Sequence, residues 1–316
     1  MDNKAGSFWL PPQASTNAAE LDELFAFVMD INYVFFAIIF GMTVYLSVKY
    51  RRRRADQMAT SDVDHSLLWE GAWTFIPLML CVVMFVWGFR VFLHQNTAPE
   101  GAMQINVTAQ KWSWAFNYDD GQTTSDLYVP AGRPVKLVMK SKDVLHSFYV
   151  PDFRVKSDVM PNRYTSVWFE ALAPGQHRIY CTEYCGKQHS GMYRTVHVLS
   201  EEEYAAKKQK GFEGKPEGLD PVAWGKQLYT KYGCNACHSL KEGERLVGPS
   251  FWGLVGREGV TAAGEKYVAD EQYINESIME PMAKVVQGYA PAMPSFKGQI
   301  DDDQMNALIA FMKTLK

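Results

Sequence analysis

Two clusters of side chains in this sequence could do metal or cofactor chemistry. The first is YCTEYCGKQHSGM, residues 180–192, which holds Cys181, Cys185, His189 and Met192. The second is CNACH, which holds Cys234, Cys237 and His238. The five cysteines stand at 81, 181, 185, 234 and 237, so four of them fall in two tight pairs, each beside a histidine. That grouping favours a metal or cofactor site over a disulfide framework. Cys81 stands alone in an apolar run and reads as a small core residue.

C-x-x-C-H is the pattern of covalent haem attachment. The thiols of Cys234 and Cys237 add to the haem vinyl groups, and His238 is held beneath the ring as an axial iron ligand. A low-spin carrier needs a sixth ligand, commonly Met or His. No histidine follows His238, which leaves Met279, Met282, Met293, Met305 and Met312. Met305 and Met312 belong to the apolar stripe of a final helix, and Met279 and Met282 flank Pro281. Met293 stands in YAPAMPSF, a proline-bounded loop able to present a thioether rigidly, and is the expected axial ligand. This loop and the segment VGPSFWGLVGRE, residues 247–258, resemble class I cytochromes c.

The first cluster admits several readings. A disulfide needs only Cys181 and Cys185. A zinc site has no use for a thioether, a soft ligand that suits copper. A mononuclear blue-copper site takes one Cys, two His and one Met, which leaves a cysteine over. A second imidazole must come from an earlier strand end, and His146 in SKDVLHSFYVPDF fits. His177 and His197 alternate within strands and read as structural. Two thiolates, two imidazoles and a thioether suit two coppers bridged by both sulfurs.

The elements that carry these clusters follow from patterning. Residues 1–23 are polar and lack a basic start leading into an apolar run, so they read as an extracytoplasmic tail and not a signal peptide. Two apolar runs, about 24–50 and 67–93, each exceed the roughly 20 residues that cross a bilayer. Together they predict a hairpin over 24–95. The run Arg51–Arg54 abuts the first span and puts the connecting loop in the cytoplasm, with both termini outside. Asp30 and Asn32 fall near the outer end of span one, and Glu70 near the cytoplasmic end of span two, which also contains Pro77. Alternating segments such as RPVKLVMKS and MYRTVHVLS predict a β-sandwich over 96–200. Charge, Gly and Pro then mark a linker over 201–221, and a helical pattern fills 222–316. A formal net charge of −3 gives no basic field for nucleic acid.

With those residues in view, CTEYCGKQHSGM, DVLHSF and QKWSWAFNY closely resemble subunit II of haem–copper cytochrome c oxidases, the subunit that carries the binuclear CuA centre. The C-terminal segment resembles the cytochrome fused to that subunit in one branch of the family. The resemblance implies a membrane-anchored multidomain chain: a two-helix transmembrane hairpin, a cupredoxin-like CuA domain and an all-α cytochrome c domain. It implies Cys181 and Cys185 as bridges, His146 and His189 as one ligand to each copper, Met192 as a weak ligand and the Glu183 carbonyl as another. It also implies the Glu183 carboxylate as a ligand to magnesium at the boundary with subunit I, and Trp112 on the electron route. Asp158 and Arg163 would face the catalytic subunit, and Glu70 would stand at the mouth of the K proton pathway. The implied partners are oxidase subunits I and III, the lipid bilayer, and a cytochrome c or a quinol-oxidising complex as donor. The implied location is a bacterial cytoplasmic membrane, with the CuA and haem domains on the periplasmic side. Two rivals are a CuA-containing nitric oxide reductase and a membrane-anchored copper-assembly protein. The latter lacks Met192, the Trp112 segment and the fused haem.

Overall fold

The computed structural model describes residues 6–58, 61, 63–216 and 218–316. Two long helices lead, α1 (Thr16–Lys49) and α2 (Leu67–Asn96). Their apolar side chains point outward along most of both helices: Phe36, Phe40, Phe75 and Phe85 are all exposed. An apolar surface of this extent needs lipid or protein around it. The helices touch through Phe27 and Trp87, whose rings lie 5.2 Å apart. Glu70 sits in the first turn of α2 and accepts a hydrogen bond from the Ser66 N–H at 3.0 Å.

α1 starts at Thr16, which corrects the expected tail over 1–23. Ser15 caps the helix by accepting from the Ala18 N–H. Its hydroxyl donates to the Phe153 carbonyl at 2.8 Å, and its backbone bridges Ala171. Asn17 donates to the Trp168 carbonyl at 3.2 Å. Asp22 receives a two-pronged contact from Arg154, Nε to Oδ1 at 2.8 Å and Nη2 to Oδ2 at 2.9 Å. These first turns are polar because their partners are polar groups of the β domain, so hydropathy could not find them.

Residues 103–199 form two five-stranded sheets. The strands are β1 (Met103–Gln110), β2 (Ser113–Asn117), β3 (Thr123–Thr124), β4 (Leu127–Pro130), β5 (Pro134–Ser141), β6 (His146–Val150), β7 (Val155–Val159), β8 (Thr165–Glu170), β9 (Gly175–Cys181) and β10 (Tyr193–Leu199). One sheet runs β3-β2-β1-β5-β8 and the other β4-β10-β9-β6-β7. Trp114, Phe116, Phe148, Phe153 and Phe169 fill the space between them. Strands β6 and β7 escaped the alternation pattern. Four of the five β6 residues are buried, so that strand carries no period-two signal.

The stretch 201–221 is not a bare linker. Helix α3 (Glu201–Lys210) starts with a capping box, Ser200 and Glu203 each bonding the other's backbone. Tyr204 and Phe212 are buried against the sandwich, with Phe212 4.7 Å from Tyr118 and 5.1 Å from Tyr128 between ring centres.

The C-terminal domain has helices α4 (Pro221–Lys231), α5 (Glu271–Met279) and α6 (Asp302–Lys313). It also has a ribbon of β11 (Glu258–Val260) and β12 (Lys266–Val268), so it is mostly, not wholly, helical. Met305, Leu308, Ile309 and Met312 form the buried face of α6. Gly225 lets α4 cross α6 at close range, since a Cβ there would stand 2.0 Å from the Ala307 carbonyl oxygen.

Candidate functional site

His146 opens β6, Cys181 closes β9 and Met192 immediately precedes β10. All three strands belong to one sheet, so its register brings these residues to one end. The loop between Cys181 and Met192 turns back at Gly186, whose φ of +120° favours glycine. The Sγ atoms of Cys181 and Cys185 lie 3.8 Å apart and both thiols are free. His146 Nδ1 lies 3.9 Å from Cys181 Sγ, and His189 Nδ1 3.5 Å from Cys185 Sγ. Met192 Sδ is 3.8 Å from Cys185 Sγ, and the Glu183 carbonyl is 3.3 Å from Cys181 Sγ. Every donor expected from the sequence therefore converges here. The ligand atoms of His146, Cys181 and Cys185 fall within 4.8 Å of one another.

The electrostatics fit a cation. Burial raises the Cys181 thiol, but bonds from His146 and from the Ser147 and Glu183 backbone outweigh it and hold the thiol down to about 6. Burial, together with that nearby charge, pushes Cys185 up to about 12. Two buried thiols that hold one negative charge between them invite a metal to share it. Asp143, which sequence reading missed, backs the site: its carboxylate meets His146 Nε2 at 2.9 Å and accepts from the Lys111 N–H at 2.7 Å. Such a partner fixes which imidazole nitrogen faces the metal. The D-x-x-H spacing of Asp143 and His146 was the available signal.

His177 and His197 lie elsewhere. His177 pairs with Asp152 at 2.7 Å, and His197 stacks on Tyr128.

The CNACH segment lies after α4, where Gly233 turns the chain with φ +71°. It borders a cavity of about 830 Å³ lined by Cys234, Cys237, His238, Met293, Phe296 and Leu308. His238 Nδ1 donates to the Pro249 carbonyl at 2.7 Å, which leaves Nε2 free to ligate. Burial lowers the pKa of His238 against that bond, favouring the neutral imidazole a metal needs. Gly248 makes room for the ring, since a Cβ there would stand 2.4 Å from His238 Cε1. The free thiols, the oriented histidine and the cavity fit a covalent haem. Of the five candidate methionines, Met282, Met293 and Met312 border the cavity; Met312 is committed to the α6 core and Met282 is exposed.

Trp112 and Arg194 of the β domain also border this cavity. The Trp112 ring rests on the copper-site loop, where a Cβ at Gly186 would stand 3.2 Å from Cζ2.

Comparison with known proteins agrees with this architecture. Residues 3–91 match the model of the cytochrome c oxidase subunit II transmembrane domain, 122–199 its periplasmic domain, and 222–316 cytochrome c. Cytochrome c oxidase subunit 2 of Alkalihalophilus pseudofirmus is 29% identical over 88% of this chain and 82% of the relative. Alternative cytochrome c oxidase subunit 2 of Bradyrhizobium diazoefficiens is 30% identical over 66% of this chain and 86% of the relative. The crystal structure of the periplasmic domain of subunit II of cytochrome oxidase of Bradyrhizobium japonicum aligns at 25% identity and TM-score 0.35, over 37% of this chain and 97% of its own. Two membrane helices, a cupredoxin-like sandwich and a haem-motif domain thus stand in one polypeptide, and the chain belongs to the cytochrome c oxidase subunit II family, with a C-terminal cytochrome c domain.

Proposed function

We propose that this chain is the electron-accepting subunit of a bacterial haem–copper cytochrome c oxidase, taking electrons at haem c and passing them through binuclear CuA to a haem in subunit I, where oxygen is reduced to water and protons are translocated. The observation that carries this reading is the convergence of two thiols, two imidazoles and a thioether beside the haem-motif cavity of the same chain. Bound there, the two metals and the haem would supply reversible one-electron chemistry at neutral pH.

The chain's own residues do the positioning. Cys181, Cys185, His146, His189, Met192 and the Glu183 carbonyl would hold the two coppers. The sheet ends that carry His146 and Cys181 limit ligand movement, which keeps the reorganisation cost of each transfer low. Cys234 and Cys237 would hold the haem covalently, and His238 and Met293 would ligate its iron. Trp112, between the copper loop and the cavity, would sit on the electron route. Glu183 offers one partly exposed carboxylate for magnesium and would need donors from subunit I. Glu70, in the first turn of α2, would admit protons from the cytoplasmic side, next to subunit I. Asp158 and Arg163 would face that same subunit, and the exposed apolar faces of α1 and α2 would meet lipid and subunits I and III.

Metal analysis with absorption spectroscopy of the purified protein tests this reading. Two coppers per chain, haem c bands and near-infrared CuA bands are expected. One copper per chain, or a mononuclear blue spectrum, overturns it.

A further inference from the structure

Between the copper domain and the haem domain lies a carboxylate that belongs to neither. Glu213 follows α3, in the stretch whose composition reads as linker, yet its side chain is only 4% exposed. From the copper-domain side it accepts the Ser125 N–H at 3.0 Å, the Ser125 hydroxyl at 3.1 Å and the Asp126 N–H at 3.0 Å. From the haem-domain side it meets Lys231 Nζ at 3.0 Å and accepts the Tyr232 hydroxyl at 3.4 Å. Its own backbone carbonyl accepts the Gln304 side-chain amide at 3.1 Å. Asp126, 3.7 Å from Lys231 Nζ and 3.8 Å from His197 Nε2, extends the same seam.

We infer that Glu213 is a latch that seats the haem domain on the copper domain in one fixed arrangement. A buried carboxylate is costly unless its charge and lone pairs are met. Here they are met only when both domains are in place. If the haem domain lifts away, Lys231 and Tyr232 leave with it. The direct donors that stay, from Ser125 and Asp126, are neutral, and the copper-domain cation nearby, Arg194, makes no direct contact with the carboxylate, which then needs water. The pair thus favours one seating over a swinging tether, the specificity role best attested for buried ionic groups. Two further contacts depend on the same seating. Gln110 Nε2 donates to the Ser295 carbonyl at 3.2 Å, and Gln188 Nε2 to the Ala236 carbonyl at 2.9 Å. Glu213 is a positioning residue: it touches neither candidate cofactor site.

The functional consequence rests on the proposed haem-to-copper transfer, but the latch itself does not. Hydrogen–deuterium exchange of the full chain in detergent reads the latch directly. Glu213→Ala should raise amide exchange at residues 125–126 and 231–233 by on the order of a hundredfold, with both domain cores unchanged. Glu213→Gln, which keeps an acceptor, should fall between. Haem-to-copper transfer after flash reduction should slow in the same order and become dependent on viscosity. Lys231→Met removes the partner from the other side and should reproduce the exchange change if Glu213→Ala does not fold. Seam exchange at the wild-type level in both Glu213→Ala and Lys231→Met overturns the latch. A responsive seam in a protein that never passes electrons from haem to copper keeps the latch and overturns the proposed function instead.

Discussion

Gln188 donates its side-chain amide to the backbone carbonyl of Ala236 at 2.9 Å. Gln188 immediately precedes His189 of the copper loop, and Ala236 lies between the two haem-motif cysteines. One hydrogen bond therefore joins the two loops that would hold the two redox groups. Gln188→Leu should leave the haem and copper spectra intact and slow haem-to-copper transfer about fivefold, the worth of one hydrogen bond of about 1 kcal/mol. Flash photolysis with spectra recorded on the same sample checks both parts.

The copper-free, haem-loaded protein should show one thiolate over a wide pH range. Cys181 is held down to about 6 and Cys185 pushed up to about 12. The sign of the stability effect follows. Cys181 adds stability above the ordinary thiol pKa and loses it as pH falls through about 6. Cys185 adds stability below the ordinary thiol pKa and loses it as pH rises toward 12. The copper domain should therefore stabilise from pH 6 upward, peak near the ordinary thiol pKa and weaken above it. Ultraviolet thiolate absorbance and calorimetry across that range give both curves, and saturating copper should flatten the second.

Met293 and Met282 both border the haem cavity, but Met282 is 54% exposed while Met293 packs partly against the domain core. Met293→Ala should open the iron to carbon monoxide in the reduced protein and lower its midpoint potential, since a thioether ligand raises it. Met282→Ala should change neither. The opposite pattern would move the axial role to Met282.

Asp22 and Arg154 form a buried two-pronged ion pair, with side chains 10% and 5% exposed. Asp22→Ala leaves that guanidinium without its anion and should destabilise the seat of α1 on the sandwich by about 3–5 kcal/mol. Arg154→Met in the same background should recover part of the loss. Thermal unfolding of the full chain in detergent measures both.

The parts legible in the sequence are those whose partners are close by. Cys181, Cys185, His189 and Met192 share one loop, and Cys234, Cys237 and His238 another, so spacing alone exposes both chemistries. His146 could be found because the loop's donor set lacked one imidazole. The hidden features join distant segments. Ser15 meets Phe153 and Glu213 meets Ser125, across 138 and 88 positions, and no periodicity carries such pairings. Polar residues whose burial is satisfied only by distant polar groups read locally as tail or linker. The ribbon of β11 and β12 hid for a different reason: three-residue strands are too short to show alternation.

The seating of α1 also sets a timetable. Ser15, Asn17 and Asp22, the cap and first turns of α1, are synthesised before the rest of both long helices, yet they bond to residues 153–168. At ordinary elongation rates the ribosome takes on the order of ten seconds to reach those partners. If the sandwich folds outside the membrane, as the proposed function requires, the leading segment has to reach that same side within the interval and wait there with its polar groups hydrated. The sandwich can then close only around a segment delivered ahead of it, so the placement of the chain's first turns becomes a precondition for finishing the domain that would receive copper.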